Sequence, residues 1–177
     1  HWTNKIINWN CKLDWFCQVL HKYCMDKKKI LLIGTGFIGS NFYKLYRDVY
    51  DIILLDKEDY PCTITNGLWD LGDSSHFVID ISNYEKINNI IRYRLSFGGL
   101  DHIINFAASS HVDRSINDKE SFINTNVIGL ENILKSIRDT NVRLLHFSTD
   151  EVYGDTDVKS WRLFKETDKL NPSSPYS

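Results

Sequence analysis

KILLIGTGFIGSNF, residues 29–42, joins a short apolar run to three closely spaced glycines and then to a helical pattern. Residues 30–33 have the length and branching of a buried strand, and Gly34, Gly36 and Gly39 follow as GxGxxG. Phe37, Ile38, Phe42, Leu45, Tyr46 and Val49 then recur at helical spacing. Glycines are needed at such a turn because a Cβ would hold the backbone away from a pyrophosphate and the helix away from the sheet. Free N–H groups at the helix N-terminus would then meet the anion. The competing account is a tight turn with no ligand.

Outward from this stretch the alternation repeats. Residues 52–55 form a second apolar run, a polar loop spans 57 to about 76, and 77–79 make a short strand. Tyr84, Ile87, Ile90 and Ile91 mark a helix, and Asp101 precedes a strand over 102–105. Residues 122–137 read as helical and 143–147 as a fifth strand. Continuously apolar strands are buried on both faces, and strands separated by helices build right-handed crossovers in a parallel sheet. The expected fold class is α/β, a Rossmann-like doubly wound parallel sheet. Ligands of such sheets bind beyond the carboxyl ends of the strands.

At 177 residues the chain amounts to one domain and a little more, large enough to bury a core without a metal or disulfide staple. Lys and Arg number 21 against 23 Asp and Glu, a net charge of −2 with no basic block. This argues against a nucleic-acid or polybasic membrane surface, and no apolar run approaches transmembrane length. Cys11, Cys17, Cys24 and Cys62 lack zinc-ligand spacing, so they read as reduced thiols of a cytoplasmic protein and no metal is expected. The single methionine, Met25, stands just before three lysines and the first strand. Residues 1–24 therefore read as an upstream extension of unknown role, and 25–177 as a dinucleotide-binding domain. Trp9, Leu13, Phe16 and Leu20 would share one helical face, which leaves a partner-binding helix as the functional alternative.

The strand ends carry the remaining chemistry. After the second strand, Asp56 could accept both ribose hydroxyls of an adenosine and repel a 2′-phosphate, which favours NAD over NADP, with Lys57 beside it pulling the other way. After the third, Asp80 and Ile81 could hold an adenine, although Asp80 alone would more often cap the helix beginning near Asn83. The fourth strand runs into FAASSHVDRS, residues 106–115. Small residues there let a flat cofactor lie against the backbone, Ser109 and Ser110 offer hydroxyls, and His111 reads first as a structural hydrogen-bonder. The fifth runs into STDEVYGD, residues 148–155, where adjacent carboxylates after a buried strand cost electrostatic energy unless one is protonated. Such a pair can divide into one acid and one base. NPSSPYS, residues 171–177, reads as a loop entering a helix with Tyr176 in its first turn.

Taken together, GTGFIGSNF, LDK, FAASSHVDRS, TNVIGLEN, FSTDEVYGD and NPSSPYS, in this order, resemble the extended short-chain dehydrogenase/reductases. Within them the chain is most similar to the nucleoside-diphosphate-glucose 4,6-dehydratases, typified by dTDP-glucose 4,6-dehydratase. The Thr-Asp-Glu triple sets these apart from sibling epimerases and decarboxylases. The resemblance implies NAD-dependent conversion of dTDP-glucose or UDP-glucose to a 4-keto-6-deoxy sugar, for deoxysugar biosynthesis of the rhamnose type. Tyr176 would take the C4 hydroxyl proton, Thr149 would bond the C4 oxygen, Glu151 would remove the C5 proton and Asp150 would protonate the departing C6 hydroxyl. Phe37, Ile38, Asp56, Lys57, Asp80, Ile81, Ala107, Ala108, Ser109 and Thr125 would line the NAD site beside Gly34, Gly36 and Gly39. Ser110 and Thr149 would touch the nucleotide sugar.

The chain departs from the family pattern in three places. Ile33 stands where the first glycine of GxxGxxG is usual, and Ser109 where glutamate is frequent. The lysine that holds the tyrosine as phenolate would be residue 180. The expectation is thus a Rossmann domain truncated before the sugar-nucleotide domain, inactive alone and homodimeric at full length. Two alternatives stand beside this reading. One is a nucleotide-sugar 4-epimerase or decarboxylase, for which the Asp150–Glu151 pair has no use. The other is a non-catalytic NAD-binding module.

Overall fold

The computed structural model describes residues 27–58, 76–155 and 163–177. Residues 1–24, the four cysteines and most of the polar loop after Lys57 lie outside the described residues. Strands β1 (Lys29–Ile33), β2 (Asp51–Asp56), β3 (His76–Val78), β4 (His102–Asn105) and β5 (Arg143–His146) form one sheet. All pairings are parallel and the order is β3-β2-β1-β4-β5. Helices α1 (Phe37–Tyr46) and α2 (Tyr84–Phe97) are followed by the short α3 (Val112–Asn117) and α4 (Lys119–Phe122). A π-helical stretch, Ile123–Ile128, continues without a break into α5 (Gly129–Ile137).

Period-two alternation in the central strands divides the core into two layers. Leu31, Ile33, Ile53, Leu55 and Ile103 pack with Ile87 and Ile91 of α2 and Ile133 and Ile137 of α5. Their neighbours Ile30, Leu32, Ile52, Leu54 and Ile104 pack on the other face against Phe42 and Tyr43 of α1. Each fully buried aliphatic side chain stabilises the sheet by about 1.5–3 kcal/mol. The doubly wound arrangement read from the sequence is the one found.

Among the described residues the side chains of β5 are less buried than those of the central strands. Among the described strands it pairs only with β4. Leu145, in register with Ile104, is 54% exposed and Phe147 47% exposed. No described helix covers that part of the α1 face.

Element boundaries differ where a polar side chain decides them. The helix expected over 122–137 begins at Lys119, because the Asp118 side chain accepts the Ser121 N–H at 3.2 Å. α2 is capped by Asn83, whose side chain accepts the Lys86 N–H at 3.1 Å. Asp80, the alternative cap, instead accepts the Ser82 N–H at 2.8 Å and closes the turn before the helix. Asp101 ties the starts of β1 and β4 together. It accepts the Lys29 N–H at 2.9 Å and the Lys28 ammonium at 3.0 Å, and these bonds hold its carboxyl below the usual carboxylate range.

Asparagine is a poor helix former, yet Asn132 sits buried within α5. Its Nδ2 donates to the carbonyls of Ile81 and Ser82, both at 2.9 Å, and so fastens α5 to the loop after β3. Asn132→Ala leaves both carbonyls without this donor and is expected to cost about 1–3 kcal/mol. The check is a lower urea midpoint at unchanged slope in the full-length protein. Among the described residues no helix is long and apolar enough to cross a membrane.

Candidate active site

The chain steps outward from β1 through β2 and β3 on one side and through β4 and β5 on the other. The following loops therefore diverge at the carboxyl ends of β1 and β4, which opens a crevice there. Gly34 occupies its floor with φ of 89°, and its N–H donates to the Leu55 carbonyl at 2.8 Å. A Cβ on Gly34 would run into the Ala107 backbone, and one on Gly39 would meet the Gly34 carbonyl. A Cβ on Gly36 would enter open space. The three glycines thus serve a left-handed turn, an open cradle and close helix packing in that order. Ile33 is fully buried at the end of β1, and the turn begins at Gly34.

A first cleft of about 160 Å³ opens over this cradle. Gly34, Gly36, Asp56, Lys57, Asp80, Ile81, Ala107, Ala108 and Thr125 line it, all of them expected from the sequence. Asp56 is fixed by a residue the sequence reading overlooked. Its Oδ2 accepts the Thr35 N–H at 2.6 Å and the Thr35 hydroxyl at 3.0 Å. Phe37 and Ile38, the first residues of α1, are largely exposed and stand outside this lining, while Gly39 is buried in the turn. Ser109 also stands outside it. Its backbone is gripped by Asn126, which accepts the Ser109 N–H at 2.8 Å and donates to the Ser109 carbonyl at 3.0 Å.

A second cleft of about 240 Å³ adjoins the first and shares Ala107 and Ala108 with it. Thr149 and Tyr176 line it together with Asn126, His146 and Val152. Tyr176 is half-buried and sets its ring edge-on to Phe122, centroids 6.3 Å apart. The segment bearing it is tied to the loop after β5, since the Asn171 N–H donates to the Val152 carbonyl at 3.0 Å. Ser174 and Ser177 then bond each other reciprocally. The Ser177 N–H donates to Ser174 Oγ at 3.2 Å and the Ser174 N–H to Ser177 Oγ at 2.9 Å. This reciprocal pairing is that of a capping box.

Thr149 caps a 3-10 turn, Asp150–Tyr153, by accepting the Glu151 N–H at 3.2 Å, and its hydroxyl donates to Asp150 Oδ1 at 3.4 Å. Asp150 is exposed and Glu151 half-buried, and neither lines the second cleft. Ser110 and His111 are exposed as well, and the His111 carbonyl accepts the Ser115 N–H at the start of α3. Among the described residues no cluster of His, Cys, Asp and Glu could hold a metal ion.

Asn126 and Asn132 went unassigned although both lie in TNVIGLEN, residues 125–132. The available signal was two poor helix formers inside one helix, each of which needs a partner. In the π-helical stretch, whose i→i+5 bonding widens the turn, Thr125 reaches the first cleft and Asn126 the second.

The family model for GDP-mannose 4,6 dehydratase matches residues 33–177. The dTDP-glucose 4,6-dehydratase of Mycobacterium tuberculosis is 39% identical over 148 residues, covering 81% of this chain and 43% of that protein. Low-salt glycan biosynthesis protein Agl12 of Haloferax volcanii is 39% identical over 150 residues, covering 81% and 45%. Among solved structures, DesIV of Streptomyces venezuelae, a dTDP-glucose 4,6-dehydratase with NAD and TYD bound, superposes with a TM-score of 0.68 at 37% identity. That match covers 84% of this chain and 47% of DesIV. The chain spans less than half the length of these relatives.

Proposed function

The chain belongs to the GDP-mannose 4,6-dehydratase family, and on that premise we propose that the protein containing it is a hydro-lyase dependent on NAD. Its substrate is a nucleotide-activated glucose, dTDP-glucose or UDP-glucose, and its product the 4-keto-6-deoxy sugar. The reading is supported above all by the Ala107–Ala108 wall common to both clefts. A dinucleotide over the glycine cradle and a sugar beside Thr149 and Tyr176 would meet across it. A cytoplasmic homodimer is part of the same proposal, as is the division into an extension over 1–24 and a dinucleotide-binding domain over 25–177.

The cradle fits a dinucleotide. A Cβ at Gly36 would project into space that the backbone leaves open for a pyrophosphate, and Asp56 is held by Thr35 at the cleft wall where a ribose would lie. When bound, NAD supplies a hydride acceptor at sugar C4 and a hydride donor at C6. Tyr176 takes the proton of the C4 hydroxyl, and the Thr149 hydroxyl turns from Asp150 to the C4 oxygen. The C4 ketone acidifies C5–H, and Glu151 removes that proton. Asp150 protonates the C6 hydroxyl, which leaves as water, and Glu151 returns a proton to C5 as C6 is reduced. Ala107 and Ala108 line both clefts with small side chains, so the two ligands could meet directly where the clefts join.

Asp56→Asn removes the charge that repels a 2′-phosphate. NAD affinity is expected to fall about tenfold, roughly 1.4 kcal/mol, with most of the preference over NADP lost, measured by titrating both dinucleotides calorimetrically. The reaction itself is tested by incubating the full-length protein with dTDP-glucose and UDP-glucose separately and following product mass. Loss of one water from either sugar supports the proposal and names the nucleotide. A product of unchanged mass would replace it with 4-epimerisation, and no product despite bound NAD with a silent module.

A further inference from the structure

Asn105 ends β4, 1% exposed, in register with His146 of β5. Its Oδ1 accepts the Ala107 N–H at 3.1 Å. A backbone N–H only donates, so this bond fixes which way the carboxamide points. Nδ2 is then the atom 3.1 Å from His146 Nδ1. An amide NH₂ also only donates, so Nδ1 must be the acceptor and the ring proton must sit on Nε2. His146 lines the second cleft, while Ala107 lines both.

The geometry points to Asn105 as a positioning residue that holds His146 as the neutral Nε2–H tautomer in the wall of the second cleft and couples that state to the Ala107 turn. A proton on Nδ1 would set donor against donor. Relief requires the ring to turn away or the carboxamide to flip. The flip would take the acceptor from the Ala107 N–H, and an unpaired buried N–H is costly.

The surroundings act in the same direction. The other side chains lining this cleft from the π-helical stretch, α5 and the loop after β5 are Asn126, Val127, Leu130, Phe147, Ser148, Thr149 and Val152, all uncharged. Among the described residues Tyr176 is the one other titratable side chain in the lining, with Asp150 and Glu151 outside it. Burial pushes the His146 imidazole below the usual histidine range. Because the native value is lowered, the bond is intact at and above the ordinary range. Its contribution fades as the pH falls from that range through the native value.

The inference rests on the proposed function only for the identity of the ligands. It is tested on the full-length protein, labelled with ¹⁵N-histidine, by long-range proton–nitrogen correlation, the His146 signals being identified by their loss in His146→Gln. Wild-type protein at neutral pH is expected to show Nδ1 unprotonated and Nε2 protonated. In Asn105→Asp a carboxylate can accept from both Ala107 N–H and Nδ1–H, so the ring should keep a proton on Nδ1 and titrate about one unit or more higher. A wild-type ring protonated on Nδ1 overturns the inference, as does a folded Asn105→Asp whose ring titrates like wild type. If Asn105→Asp does not fold, the wild-type tautomer decides alone. Neither readout involves turnover, so failure of the dehydratase reading would leave the tautomer result standing.

Discussion

On the proposed mechanism Asp150→Asn and Glu151→Gln should each slow water elimination by about 10²–10⁴-fold in the full-length protein, the usual weight of a general acid or base, and should leave dinucleotide binding unchanged. Both substitutions keep shape and remove only the ability to exchange a proton. Neither side chain lines the first cleft, and the backbone of their turn is held by Thr149 Oγ1 and by the bond between Asn171 and Val152, which both variants retain. The double variant should lose little more than the worse single one, because acid and base serve one elimination. The measurement is the rate of water loss from the nucleotide sugar, with NAD affinity determined on the same samples. Elimination at the wild-type rate in either variant would remove that residue from the mechanism. An epimerase would be indifferent to both, since inversion at C4 calls on no acid or base at C5 and C6.

The second large effect separates two glycines that the motif treats alike. Gly34→Ala puts a Cβ on a residue with φ of 89°, directly against the Ala107 backbone. Strain at such a φ and overpacking each cost about 1–3 kcal/mol, so a total of about 2–6 kcal/mol is expected. Against a typical stability of about 5–15 kcal/mol, the unfolding midpoint should drop on the order of 10 °C. Gly36→Val meets nothing within 4 Å through its Cβ, so the fold should tolerate it. Its side chain instead occupies the cradle, and NAD affinity should fall about 100-fold, roughly 2.7 kcal/mol. Thermal unfolding without ligand and NAD titration distinguish the two. Equal losses of stability in both variants would contradict the roles assigned to them.

The fold was legible because its signals are local and periodic. Apolar runs of four or five residues, separated by helical spacing and punctuated at Gly34, can satisfy their backbone and bury their side chains only as a parallel sheet covered on two sides. The cleft residues were legible for a related reason, since topology sends every strand end to one edge. What escaped were contacts between segments distant in sequence. Nothing near Thr35 announces that Asp56, twenty-one residues on, will need its hydroxyl. Asn105 and His146 meet only because β4 and β5 pair in that register, forty-one residues apart. The stop at Tyr46, three residues before the last apolar position of the α1 pattern, shows periodicity outlasting the helix it announces.

In the proposed mechanism a C5 proton is removed on the way to water loss. Turnover of the nucleotide glucose in deuterium oxide tests it most directly, with the product examined by proton NMR. The proposed chemistry requires solvent deuterium at C5 and loss of one water, because the proton held by Glu151 exchanges with solvent before it can return. A 4-keto-6-deoxy product carrying only protium at C5 would contradict the role of Glu151, and a deuterium-free product that keeps its C6 hydroxyl would contradict dehydration itself.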